Sequence, residues 1–110
     1  MFTKELKKGS TELLILALLE ERPRYGYEVG KLIERLSGGR LTFRIGSLYP
    51  MFTRLEARGL ITGRWVEKAA EPRRRYYRLT PDGRKVLAQQ RGIWKEFILA
   101  VNRIVGIGHA

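Results

Sequence analysis

The stretch IGSLYPMFTRLEARGLI, residues 45–61, reads as one short helix with both ends marked. Ser47 is placed to cap its start, because a serine hydroxyl accepts the free backbone N–H groups of a first turn. Pro50 then falls in that first turn, where a missing N–H costs little. Gly59 follows the last turn, where a left-handed residue commonly closes a helix. Leu48, Met51, Phe52 and Leu55 recur at helical spacing and form one apolar stripe. The opposite face carries Tyr49, Pro50, Thr53, Arg54 and Arg58, with Glu56 its one acid. Taken alone, such a helix is an ordinary surface helix. Its flanks give it another meaning.

Downstream, residues 60–67 (LITGRWVE) are rich in strand formers, and residues 75–79 (RYYRL) return as a second strand. Residues 68–74 read as the loop between them, since Pro72 excludes regular pairing there. Between Arg64 and Lys85 eight basic residues face three acids, and Arg73-Arg74-Arg75 concentrates charge where the hairpin projects furthest. On its own a charged loop of this kind is as readily a solvated face as a phosphate clamp.

Upstream, Met1 to Lys8 is a short basic lead read as a frayed terminus. Ser10 is placed to cap a first helix whose residues 13–19 (LLILALL) are apolar nearly all round, which marks a buried central post. Pro23 stops it. Tyr25-Gly26-Tyr27-Glu28 opens a second helix with a stripe at Val29, Leu32, Ile33 and Leu36, and Ser37-Gly38-Gly39 ends it. Residues 41–45 (LTFRI) alternate and are expected as a very short strand. The link from Gly38 to Gly46 exceeds a simple helix-turn-helix turn and suits a winged variant.

Thr80-Pro81-Asp82 opens a final helix: a capping hydroxyl, a proline at the first position, then an acid. Its stripe is Val86, Leu87, Trp94, Phe97, Ile98, Val101, Ile104 and Val105, and Leu87, Trp94 and Val101 keep a seven-residue step broken once by Gln90 and Arg91. About 25 residues of helix span roughly 37 Å. A small three-helix core cannot cover that length, so its exposed side is expected to pair with a second copy. Residues 106–110 read as frayed.

With 110 residues the chain is expected to hold one domain's worth of core. Lys plus Arg number 22 against 11 acids, for a net charge of +11, and the pI is near 10.6. That field attracts polyanions, nucleic acid first and an anionic membrane surface second. No cysteine is present, so disulfides and thiolate metal sites are excluded. The longest apolar run, residues 13–19, is far short of the roughly 20 residues that cross a bilayer. A cytoplasmic protein without a membrane partner is the expectation. An enzyme is not expected: the one histidine is His109 in the tail, no carboxylates cluster at metal spacing, and no cofactor motif appears.

Together these parts resemble the PadR family of bacterial transcriptional regulators. The likeness is carried by residues 14–19 (LILALL), Tyr25-Gly26-Tyr27-Glu28, Gly46-Ser47-Leu48-Tyr49-Pro50, Arg54-Leu55-Glu56, Gly59-Leu60-Ile61, residues 74–80 (RRYYRLT) and Gly83. It covers roughly residues 9–83 by motif and the final helix by position. The resemblance implies a mostly α fold with a small β-wing. A winged helix-turn-helix would occupy residues 1–80 and a dimerisation helix residues 81–110, as in the short subfamily. It also implies a homodimer that represses from palindromic promoter DNA and releases it when a small aromatic ligand binds. Some relatives hold flat ligands between paired tryptophans on the dimerising helices. Trp94 occupies the matching place, although this chain is aliphatic around Phe97, Ile98 and Val101 where those relatives are polar and acidic.

The expected DNA contacts are therefore Ser47, Tyr49, Pro50, Thr53 and Arg54 in the major groove, with Arg73, Arg74 and Arg75 on phosphate or a minor-groove edge. The expected dimer and ligand surface is Leu87, Trp94, Phe97, Ile98 and Val101, with a planar aromatic effector as its partner. The competing class is a basic module that binds polyanions or membrane surfaces without sequence preference, through an amphipathic helix such as the last one.

Overall fold

Helix α1 (Lys4–Leu18) leads into strand β1 (Arg24–Tyr25) and helices α2 (Gly26–Leu36) and α3 (Ile45–Ala57). Strands β2 (Ile61–Val66) and β3 (Arg74–Leu79) follow, and helix α4 (Pro81–Val105) ends the fold. These elements come from a computed structural model that describes residues 4–107. The three strands form one antiparallel sheet in the order β1-β3-β2. The fold class is the expected one, mostly α with a small β-wing.

The core gathers one stripe from each element. Ile15, Leu16 and Leu19, Val29 and Ile33, Leu48, Phe52 and Leu55, Leu60 and Ile61, Tyr77 and Leu79, and Leu87 are all buried. Phe52 of α3 stacks on Tyr77 of β3 with ring centroids 4.6 Å apart, so the wing is anchored directly beneath α3. The α3 stripe is the expected one, with Met51 only partly buried. Leu36, expected in the α2 stripe, is exposed at the helix end.

Three local expectations change. The chain is already helical at Lys4, so Ser10 lies inside α1 and does not cap it. Lys, Glu and Leu are strong helix formers, and the penalty of about 1 kcal/mol for Gly9 does not stop them. Met1–Thr3 and residues 108–110, including His109, lie outside the described residues.

The segment 41–44 forms no strand. Leu41, Phe43 and Ile45 turn inward onto the core while Thr42 and Arg44 are exposed. Its alternation records burial without a strand to pair with. The Leu41 N–H instead donates to the Ser37 hydroxyl at 2.9 Å. The third strand is the two-residue β1, whose Arg24 and Tyr25 pair with Tyr77 and Tyr76. Arg24 is buried there: its Nε donates to the Leu18 carbonyl at 2.7 Å and closes α1, and Glu28 balances its charge at 3.2 Å.

The joint between α3, the wing and α4 is dense with backbone bonds. Gly59 takes φ of +74°, and the Gly59 and Leu60 N–H groups return to the Glu56 and Leu55 carbonyls at 3.0 Å each, a Schellman closure. Thr80 caps α4 by accepting the Gly83 N–H at 3.0 Å, as expected, and donates its hydroxyl to the Gly59 carbonyl at 2.6 Å. Arg91 of α4 forks onto Glu20 at 2.8 and 2.9 Å, which explains its break in the apolar stripe. That guanidinium holds the Glu20 carboxyl below its ordinary pKa.

Candidate nucleic-acid interface

The first turn of α3 begins two residues before Ser47. Arg44 stands at the cap in extended conformation, and its carbonyl accepts the Ser47 and Leu48 N–H groups at 2.9 and 3.2 Å. Packing sets this start, because Ile45 joins the core and packs closely over Gly26, where a β-carbon would stand 3.3 Å from its Cδ1. Ser47 is therefore an exposed first-turn residue, and its hydroxyl is not the cap. Pro50 is the sixth helical residue, beyond the first turn. It lacks the N–H that would reach the Gly46 carbonyl, a loss more tolerable on the exposed side, where water can reach that carbonyl.

No side chain caps this helix start and no acid lies in its first turn. The positive end of the helix dipole is thus open to an anion. Gly46, Ser47, Tyr49, Pro50 and Thr53 share the exposed face, with Tyr49 50% exposed. Thr53 turns its hydroxyl back onto the Tyr49 carbonyl at 3.0 Å. Arg54 is also exposed, one turn after Pro50. Its guanidinium contacts the Met51 sulfur, and it borders a groove between α1, α3 and α4.

The wing places its three arginines differently from one another. Only Arg73 belongs to the loop, with its guanidinium 4.5 Å from the centre of the Trp65 ring. Arg74 and Arg75 belong to β3, so alternation sends them to opposite faces. Arg74 lies 4.5 Å from the Tyr25 ring centre. Among the described residues neither Arg73 nor Arg74 is paired with a carboxylate. Arg75 is: its Nη2 donates to Glu56 Oε2 at 2.8 Å, and the same oxygen accepts the Gly63 N–H at 2.8 Å. Burial works to raise the Glu56 pKa, but these two donors outweigh it and hold the carboxyl below its ordinary value. Of the three arginines expected on DNA, Arg73 and Arg74 thus have no carboxylate partner among the described residues, and Arg75 is held in an ion pair.

A cleft of about 570 Å³ joins these parts, lined by Tyr25, Gly26, Tyr27, Tyr49, Trp65, Arg73, Arg74, Arg75 and Tyr77. It contains cations and rings and no acid. Its arginines and Tyr49 were legible in the sequence, but Tyr25 and Trp65, the rings against which Arg74 and Arg73 lie, were not. The hairpin register carries that signal, since Trp65 pairs with Arg75 across the strands.

A family model described as "Transcriptional regulator PadR-like family" matches residues 15–89. The chain belongs to that PadR-like family. It is therefore a DNA-binding transcriptional regulator by class. Among solved structures, this PadR-like chain is similar to a transcriptional regulator from Clostridium thermocellum, at 32% identity and TM-score 0.87, covering 96% of this chain and 99% of that one. It is also similar to a PadR family transcriptional regulator from Eggerthella lenta, at 31% identity and TM-score 0.78, covering 94% and 88%. An uncharacterised protein of Lysinibacillus sphaericus is 29% identical over 96 residues, which are 87% of this chain and 88% of that protein.

The second expected surface lies on α4. Leu87 is fully buried in this chain's own core, so it is not available to a partner. Phe97 and Ile98 are 59% and 42% exposed, and Ile93, Ile104 and Val105 extend the same apolar exposure. Trp94 and Val101 are half-buried. Trp94 packs edge-on against Phe97, with centroids 6.0 Å apart, and lines the α1–α3–α4 groove of about 240 Å³ that Arg54 also borders. No helix among the described residues is long and apolar enough to cross a membrane.

Proposed function

We propose that this regulator binds palindromic promoter DNA as a homodimer and represses transcription until a planar aromatic effector releases it. One observation carries the DNA part: the acid-free cleft where Tyr49 of α3 meets the unpaired guanidiniums of Arg73 and Arg74. In this reading the Ser47 end of α3 enters the major groove, with Ser47, Tyr49, Pro50, Thr53 and Arg54 toward the DNA. Arg73 and Arg74 grip the flanking phosphates. Residues 1–80 carry the DNA-binding part and residues 81–110 the dimerisation helix. The uncovered apolar side of α4 supports the dimer, which sets two half-sites about one helical turn apart.

Salt dependence of binding tests the phosphate contacts. Arg73→Ala and Arg74→Ala each weaken binding to all sequences and reduce the slope of log K against log salt by about 0.9. An unchanged slope in both variants contradicts the contact. The groove beside Trp94 supports the effector reading. In a Trp65→Phe background, a planar aromatic compound quenches Trp94 fluorescence and weakens operator binding. Quenching without loss of DNA affinity removes the effector role. A reporter driven from the selected operator reads repression directly.

A further inference from the structure

Two side-chain contacts between α3 and the wing lie four residues apart on one side of the helix. The inner point is Phe52 stacked on Tyr77, both buried. The outer point is Glu56, whose Oε2 receives Arg75 Nη2 from β3 and the Gly63 N–H from β2, at 2.8 Å each. β2 is the edge of the sheet, so the Gly63 N–H would otherwise go to water. The Arg75 guanidinium lies across Gly63 so closely that a β-carbon there would sit 2.7 Å from its Nε. Two contacts at successive turns fix a direction. The outer one lies beyond the buried core and ties both strands of the hairpin to α3.

We propose that Glu56, Arg75 and Gly63 form a latch that sets the angle between α3 and the wing, and that Arg75 serves DNA binding as a positioning residue without gripping phosphate. The proposal rests on the reading that α3 and the wing both contact DNA. Its leverage follows from distance. Glu56 stands nine residues from Ser47, about 14 Å along the helix at 1.5 Å per residue, so a tilt of about 10° moves the reading end by about 2 Å. A shift of that size breaks hydrogen bonds to base edges while leaving the total positive charge in place. The latch also accounts for the one acid on an otherwise basic helix face. Glu56 repels DNA at long range, yet it holds the wing at short range.

The test combines one variant whose charge effect and latch effect have opposite signs with one that changes no charge and one that reads the salt slope. Glu56→Gln removes a negative charge, which by electrostatics alone strengthens DNA binding. The latch predicts weaker binding, on the order of tenfold, the loss that one misread base pair brings. Gly63→Ala changes no charge and suits a strand, but displaces Arg75 from Glu56. It is expected to weaken binding by a similar factor with the salt slope and the thermal midpoint unchanged. Arg75→Ala is expected to weaken binding with the slope of the wild type, unlike Arg73→Ala. Wild-type or tighter binding by both Glu56→Gln and Gly63→Ala overturns the latch, and so does a shallower slope in Arg75→Ala.

Amide exchange of the DNA-free protein separates this proposal from the DNA reading. The Gly63 amide is expected to be protected in the wild type and to exchange at least about tenfold faster in Glu56→Ala, with core amides of α1 unchanged. An unprotected Gly63 amide in the wild type refutes the latch whatever the protein binds. A protected one, with no DNA binding by the wild type, keeps the helix–wing latch, overturns Arg75's positioning role in DNA binding, and refutes the DNA reading.

Discussion

A β-carbon added at Gly83 would lie 2.0 Å from the Leu60 carbonyl oxygen, which is backbone and cannot step aside. That oxygen also accepts the Thr80 N–H at 3.1 Å, so moving it breaks the joint between the wing and α4. Gly83→Ala is expected to destabilise the fold by about 3 kcal/mol, the upper range for overpacking, and a thermal melt reads it. Gly59→Ala is a milder case. Its neighbourhood is open, but φ of +74° strains any L side chain by about 1 kcal/mol. At this scale the sequence was legible where a residue acts on its own turn of chain. Gly59 and the Thr80 cap fall where their types indicate. Ser47 was misread because the start of α3 is set by Ile45 packing into the core, which outweighs a capping hydroxyl two residues later.

Among the elements, α3 was legible from its stripe and α4 from its length. The hairpin was legible because two runs of strand formers flank Pro72. Strand β1 was not, since two residues show no alternation and its pairing to Tyr76 and Tyr77 exists only after folding. The same limit hid the use of Glu56. Its partner Arg75 is 19 residues away, and only docking of the hairpin under α3 brings them together.

That contact carries a pH prediction. Burial opposes ionisation of Glu56, but Gly63 and Arg75 prevail, so its folded pKa is lowered from 4.5. A depressed carboxyl pKa contributes stability that is present above the unfolded value and lost as pH falls through the folded one. Protection of the Gly63 amide in the DNA-free protein should therefore be constant at neutral pH and fall below about pH 4.5, and Glu56→Gln should abolish that dependence. Protection that does not respond to acid in the wild type contradicts the prediction.

The whole molecule is elongated, 54 × 30 × 21 Å, because α4 outruns the core it starts from. One side of its far half exposes Ile93, Phe97, Ile98, Ile104 and Val105, and a chain of net charge +11 that pairs through this face brings two such charges to one DNA. Ile98→Glu is expected to convert the dimer to a monomer in sedimentation and to leave the melting of the winged unit nearly unchanged, since Ile98 is exposed within one chain. A dimer that survives this substitution moves the interface elsewhere. Monomeric variants should also lose DNA affinity steeply, because each half-site alone offers half the contacts.

In the proposed function, α3 and the wing read a defined DNA sequence as a two-fold pair. Selection of bound duplexes from a random pool at physiological salt tests it most directly. Enrichment of a palindrome whose half-site centres lie about one helical turn apart is the expected result. Tight binding with no enriched motif would contradict it and leave the net charge of +11 as the cause of binding.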